Sequence, residues 1–118
     1  MISFYYAIDG DDIGKKLEEY ALKNDISSIL LLSENVKLAL KEIKNHFESN
    51  GGVIVFCEGD SLLASSEKQV ELPIDLLFHN TISFSAGVGK TTAMALLALK
   101  KAKGLGKKRV EIFMGELV

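Results

Sequence analysis

Tryptophan is absent from this 118-residue chain, and proline and cysteine occur once each. The lone Cys57 cannot close an internal disulfide, and no charged-then-apolar leader precedes the first strand-like residues, so the expected location is the cytoplasm. Long apolar runs are missing too. The uncharged stretch from Leu76 to Gly89 has 14 residues and contains His79 and Asn80, short of the roughly 18 needed for a membrane span. His46 and His79 stand alone, without metal-ligand spacing to Cys57 or to each other, so zinc is not expected. No Ser-His-Asp set can be assembled from spacing. A basic surplus is lacking: 14 Lys and Arg face 16 Asp and Glu, a net charge of −2, which argues against stable binding of duplex nucleic acid. There is no internal repeat, low-complexity stretch or linker. What remains is 47% hydrophobic and long enough to bury very roughly 65% of its unfolded surface. One compact domain over residues 1–118 is the expectation.

The near-neutral total hides a polarity. Residues 1–59 carry ten acids and six bases; residues 60–118 carry six acids and eight bases, six of them between Lys100 and Arg109. Carboxylates at one place and lysines at another suit a metal and a phosphate, though a solvated helix end is also lysine-rich.

Ile2 to Ile8 is aromatic and β-branched and predicts a buried strand that ends at Asp9-Gly10-Asp11-Asp12. Ile13, Leu17, Tyr20 and Ala21 share one face of a following helix, with Asp11 or Asp12 placed to cap it. Val36, Leu40, Ile43 and Phe47 are spaced four, three and four, which predicts a helix from Ser33 to Asn50. Ile26 to Leu32 belongs to that helix or to a short one feeding it, and Asn50-Gly51-Gly52 stops it. Val53 to Cys57 and Leu62 to Ser65 read as a hairpin with Gly59 in its turn. A short helix around Val70 to Phe78, a strand at Thr81 to Ala86, a turn at Gly87-Val88-Gly89, a helix from Thr91 to Lys103 and a strand at Arg109 to Phe113 complete the order. This predicts an α+β, ferredoxin-like layout with a central antiparallel or mixed sheet and helices on one face.

Three segments carry chemistry. IDGDDIG puts three carboxylates within four residues, a repulsion that a cation relieves. Asp9 and the Gly10 carbonyl are the natural hard-oxygen pair, with Asp11 and Asp12 as further candidates; a plain helix start with spare acids on solvent reads the same way. FCEGDSLLA puts Asp60 at a hairpin tip. In a ferredoxin-like sheet that tip neighbours the first strand, so Asp9 and Asp60 face one another, the geometry for a metal pair in phosphoryl transfer. The third segment contains GVGKTT, which resembles a Walker A loop and fails on spacing, because the pattern needs glycine where Phe84 stands. The lysines after it are more informative: Lys103 and Lys107 are four apart and fall on one side if the helix persists through Gly104 and Gly106, otherwise at its C-terminal turn.

These segments together resemble the polymerase and cyclase palm superfamily, which holds the GGDEF diguanylate cyclases, the class III nucleotide cyclases and the palm of type III CRISPR effectors. IDGDDIG resembles the first metal motif, CEGDSLLA the signature hairpin, and SFSAGVG with LALKKAKGLGKKRV the last strand-helix-strand. The strongest likeness is to the minimal CRISPR polymerase family. The resemblance implies that Asp9 and Asp60 are catalytic and hold two Mg²⁺ or Mn²⁺ ions together with the Gly10 carbonyl. It implies that Lys103 and Lys107 neutralise phosphates, and that Gly59 and Ile13, with Glu58, Ser61 and Asp12 as further candidates, border the nucleotide. Two departures stand out: Glu58 replaces the first glycine of the GGDEF signature, which favours a nucleotide other than GTP, namely ATP, and Ser61 replaces its second acid.

The implied activity is nucleotidyl transfer by a homodimer: a ribose hydroxyl attacks the α-phosphate of ATP, pyrophosphate leaves, and the product is a cyclic di- or oligonucleotide messenger in antiphage defence. Two alternatives use the same layout. One is a nucleotide-hydrolysing palm like archaeal GTP cyclohydrolase III. The other is a non-catalytic ferredoxin-like nucleotide- or RNA-binding module, for which no strand here has the aromatic signature.

Overall fold

The computed structural model describes residues 3–114. Within them the chain runs β1 (Phe4–Gly10), α1 (Ile13–Leu22), α2 (Ile26–Ser49), β2 (Val53–Glu58), β3 (Ser61–Ser66), a 3-10 turn (Ile74–Leu77), β4 (Phe78–His79), β5 (Ile82–Gly89), α3 (Thr92–Gly104) and β6 (Val110–Phe113). The strands form one mixed sheet in the order β2-β3-β1-β5-β4, with β6 also on β5. All pairs are antiparallel except β5 with β6. The α+β palm layout with a mixed sheet is therefore the observed one; of the expected first strand, Ile2 lies outside the described residues.

Alternation along the strands sets the layers. Tyr6 and Ile8 of β1, Leu62 and Ala64 of β3, and Phe84, Ala86 and Val88 of β5 bury against α2 residues such as Val36, Leu40, Ile43 and Phe47. Ala7 points the other way and packs with Ala95 and Leu99 of α3. The helices thus cover both faces of the sheet rather than the single face expected. The reason lies in the glycines predicted to form a turn after β5. Gly87 and Gly89 are strand residues: a Cβ on Gly87 would lie 2.2 Å from the Ala95 carbonyl oxygen and the Leu99 nitrogen, so their bare backbone lets α3 lie directly on β5.

Local chemistry accounts for the other boundaries. Asp25 caps α2, accepting from the Ser28 amide at 3.1 Å and the Ser28 hydroxyl at 2.7 Å, so Ile26 to Leu32 joins one continuous 24-residue helix. Gly51, at φ 81, ends it, and the Gly52 amide returns to the Phe47 carbonyl at 2.7 Å. The helix expected around Val70 shrinks to the four-residue 3-10 turn. The Val70 amide donates instead to the buried Tyr6 hydroxyl at 2.7 Å, which also bonds Ser66 at 2.8 Å, and Pro73 keeps Leu72 out of helical conformation. No helix of the described residues is long and apolar enough to cross a membrane.

Candidate active site

Two chain reversals meet at one end of the sheet. Asp9 is paired with Ser61 in the β1–β3 register, and the Gly10 amide donates to the Asp60 carbonyl at 3.0 Å. Gly59, at φ 57, makes the β2–β3 turn that carries Asp60. Gly10 admits that turn: a Cβ there would lie 2.6 Å from Ile13 Cγ1 and 2.9 Å from Asp60 Oδ2. The structure therefore brings Asp9, Gly10, Ile13 and Asp60 together. Burial, followed by the negative charge of Asp9, pushes the Asp60 carboxyl above the ordinary aspartate range. Ser61 donates its hydroxyl to Asp9 Oδ1 at 2.6 Å, so the residue that replaces a second acid orients the first one.

The other acids of the loop face elsewhere. Asp11 is 3% exposed and both of its oxygens are engaged. Oδ1 accepts from Ser85 at 2.7 Å and Lys103 at 2.8 Å; Oδ2 accepts from Ser83 at 2.8 Å and the Lys108 amide at 3.1 Å. Burial alone would raise this carboxyl, but the hydrogen bonds from Lys103, Ser85 and Ser83 outweigh it and hold it low. Asp12 adopts a left-handed conformation, φ 57, and makes no side-chain cap bond to α1. It accepts from Lys107 Nζ instead, which holds Asp12 low and raises Lys107. The expected capping of α1 by Asp11 or Asp12 is thus replaced by two ion pairs to the α3–β6 segment, because the lysines gain more from a carboxylate than exposed helix amides do.

Lys103 and Lys107 do not share a helix face. α3 ends at Gly104, Gly106 takes φ 118, and Lys107 and Lys108 follow at φ 66 and 54. That left-handed pair costs about 1 kcal/mol or more per residue and is held by the Lys108 amide, which donates to Asp11 and to Ser85 at 3.1 Å. Lys103 Nζ donates to the Gly10 carbonyl at 2.7 Å and to the Asp9 carbonyl at 3.3 Å, and lies 3.3 Å from Asp9 Oδ2. Lys103 is therefore built into the floor of the site, while the side chain of half-buried Lys107 is tied only to Asp12. Thr91, in the Walker-like string, is the N-cap of α3, accepting from the Met94 amide at 3.0 Å.

Asp9, Asp60 and the Gly10 carbonyl offer hard oxygen atoms alone, and the burial and the repulsion from Asp9 that together raise Asp60 are what a cation offsets. That set fits Mg²⁺ or Mn²⁺, which keep waters and take phosphate oxygens. Among the described residues no three Asp, Glu, His or Cys side chains converge, so there is no closed cage. The Gly10 carbonyl keeps a second lone pair beside Lys103. Beside the carboxylates lies a cleft of about 760 Å³ between α1, α2 and the hairpin, bordered by Ile13, Glu58, Gly59 and Asp60. It is also bordered by Lys37, Lys41 and Lys44, which lie outside the three motifs but whose spacing of four and three puts them on one helix face. Ser83 and Ser85 also lie outside those motifs; two hydroxyls alternating in an apolar strand are the signal that a buried polar partner exists.

Among solved structures, the chain is similar to the active GGEEF domain of a diguanylate cyclase from Vibrio cholerae, with 16% identity, a TM-score of 0.68, and coverage of 97% of this chain and 84% of that one. It is also similar to the GGDEF domain of DgcB from Caulobacter crescentus in complex with c-di-GMP, with 12% identity, a TM-score of 0.63, and coverage of 94% and 78%. A third is the diguanylate cyclase SiaD of Pseudomonas aeruginosa, solved with its activator SiaC, at 14% identity, a TM-score of 0.62, and coverage of 95% and 50%. At such identities the likeness is one of fold, that of the GGDEF palm. No curated protein matches the chain. The model of the minimal CRISPR polymerase domain matches residues 5–113, and the chain belongs to that family of cyclase- and polymerase-type palms.

Proposed function

We infer that this palm is a nucleotidyltransferase that joins ATP into a cyclic di- or oligonucleotide. The observation that carries the reading is the convergence of Asp9, Asp60 and the Gly10 carbonyl at the sheet end, with Asp60 also bordering a nucleotide-sized cleft. Two Mg²⁺ or Mn²⁺ ions, when bound, lower the pKa of the attacking ribose hydroxyl and neutralise the triphosphate. Asp9 and Asp60 would hold them, with Ser61 keeping Asp9 in place. Lys103 fixes the Gly10 carbonyl, and Lys107 leaves Asp12 to meet the β- and γ-phosphates. The hydroxyl attacks the α-phosphorus in line with departing pyrophosphate. ATP is favoured because Glu58 stands where the GGDEF signature has the glycine that makes room for a guanine nucleotide, and α1 and α2 add apolar residues such as Leu17, Ile29 and Leu32 to the cleft wall. Ring closure calls for two protomers, and exposed Leu96 and Leu97 of α3 supply apolar surface for a homodimer. Family membership supports a messenger role in antiphage defence, in one palm domain working in the cytoplasm.

The test is incubation with each nucleoside triphosphate and Mg²⁺ or Mn²⁺, reading pyrophosphate and product mass. Wild type is expected to release pyrophosphate from ATP, and Asp60→Ala to lose at least about a hundredfold. Equal product traces from wild type and variant with every nucleotide would remove the reading.

A further inference from the structure

The sheet face that carries α3 is covered only in part. α3 lies over β1, β5 and β6, and the chain between β3 and β5 crosses on the α2 side, where Val70 and Leu77 are buried in the main core. Among the described residues no helix lies on the α3 side of β2 and β3. A second cleft runs there between the hairpin and α3, of about 530 Å³, within the roughly 300–1,000 Å³ of small-ligand sites. Asp9 and Ser61 border one end of it, and Thr92, in the first turn of α3, borders the other. Alternation along β1 sends Ile8 toward α2 and Asp9, with Ala7, toward α3. The carboxylate pair thus stands between two clefts on opposite faces: Asp60 borders the one at α1 and α2, and Asp9 borders this one.

An irregularity of β2 puts Phe56 into the second cleft. Ile54 pairs with Ala64 and Phe56 with Leu63, so Val55 is an extra residue. Ile54 and Cys57 pack into the core on the α2 side, and in a regular strand Phe56 would join Ile54 there. The bulge turns Phe56 to the α3 side instead, beside Leu63, where it is 49% exposed. A ring moved from core to open cleft gives up burial that a ligand stacked on it restores. No lysine or arginine borders the cleft, so it suits a base and ribose rather than phosphates.

We propose that this cleft is the subsite of the acceptor nucleoside, its base stacked on Phe56 against Leu63 and Leu96 and its ribose at Asp9. The proposal rests on the nucleotidyltransferase reading and places the second of the two substrates. Donor ATP occupies the cleft beside Asp60, and the acceptor enters from the opposite face of the sheet, so the two meet at the carboxylates. There the ribose hydroxyl loses its proton to water, its oxygen bonds the α-phosphorus of the donor, and the bond to the departing pyrophosphate breaks. Leu96 stands at the rim, where a partner copy lying on α3 would roof the cleft rather than fill it. Because its walls are apolar, the subsite holds a nucleoside without metal.

The experiment titrates adenosine, which carries no phosphate, into nitrogen-15-labelled protein in EDTA and follows the backbone amides by NMR. Wild type is compared with Phe56→Ala, with Phe56→Tyr, which keeps the ring, and with Val53→Ala, which trims another exposed apolar side chain of β2 outside the cleft. The amides of Leu63, Ala93 and Leu96 are expected to shift and saturate alike in wild type, Phe56→Tyr and Val53→Ala. Phe56→Ala is expected to bind at least about fivefold more weakly, the low end for loss of one base–aromatic stack. Shifts at Leu17, Ile29 and Leu32, in the other cleft, are expected to be the same in all four proteins. Because the ligand is neutral, its affinity is expected to be nearly constant between about 50 and 200 mM salt. The proposal is overturned if those three amides do not shift in wild type, if Phe56→Ala saturates as wild type does, or if Val53→Ala loses as much. Sedimentation tests the other occupant: a wild-type dimer that Phe56→Ala dissociates, with the adenosine shifts unchanged, would give the cleft to a second copy. Absence of pyrophosphate from every nucleotide with metal would instead remove the enzymatic reading, a result read in a separate assay.

Discussion

Replacing Gly87 with alanine tests the claim that α3 is seated by bare backbone. The added Cβ would lie 2.2 Å from the Ala95 carbonyl oxygen and the Leu99 nitrogen and 2.8 Å from the Ala98 carbonyl carbon, roughly 1 Å inside ordinary contact. These are main-chain atoms of a helix, so no rotamer change relieves them; α3 must lift or β5 must bend. Overpacking of this kind costs about 3 kcal/mol, the upper end of the usual range, and the conformational gain of losing a strand glycine offsets less than about 1 kcal/mol of it. In urea, with a slope of about 1–3 kcal/mol per molar, the unfolding midpoint is expected to fall by about 1 M or more at unchanged slope. Gly104→Ala is the matched control. It lies on the same helix, its Cβ would meet nothing within 4 Å, and it is expected to gain up to about 1 kcal/mol. A Gly87→Ala midpoint equal to that of wild type would refute the seating argument.

Asp11→Asn leaves Lys103 facing a neutral amide and is expected to lower stability by about 2–3 kcal/mol in the same titration. The folded Asp11 carboxyl lies below its unfolded value, so its contribution is complete above about pH 4 and disappears as pH falls through the folded value. The variant should accordingly lose less stability than wild type on acidification through that range, and an unchanged acid limb would count against it. Tyr6→Phe removes the acceptor of the buried Val70 amide and the partner of Ser66, with an expected loss of about 1–3 kcal/mol and faster hydrogen exchange at Val70.

Asp9 and Asp60 are legible in the sequence because each ends a strongly apolar strand at an acidic, glycine-bearing reversal. Strand adjacency then follows from a hairpin and the helical crossover. The role of Asp11 is not, because it depends on Ser83 and Ser85, 72 and 74 residues further on, and on the β1–β5 register that lifts them to the same level. Gly87 and Gly89 mislead for a related reason: glycine read along a chain signals a turn, whereas here the missing side chain serves a helix that arrives later. The Lys103 ammonium bridges two readings, since a lysine near a phosphate motif and a lysine buried on a carbonyl are alike in sequence. Only the Asp11 pairing separates them.

Contact between α3 and β5 through backbone atoms also divides the palm by how freely it can change. On that side, the smallest side chains meet main chain, and any enlargement at Gly87 or Gly89 displaces the helix bearing Lys103. On the α2 side, the cleft is bounded by ordinary side chains, which exchange size and polarity without moving a helix. Substitutions can therefore reshape the cleft along the α2 wall while the Gly10 carbonyl and the carboxylates held by Lys103 keep their places.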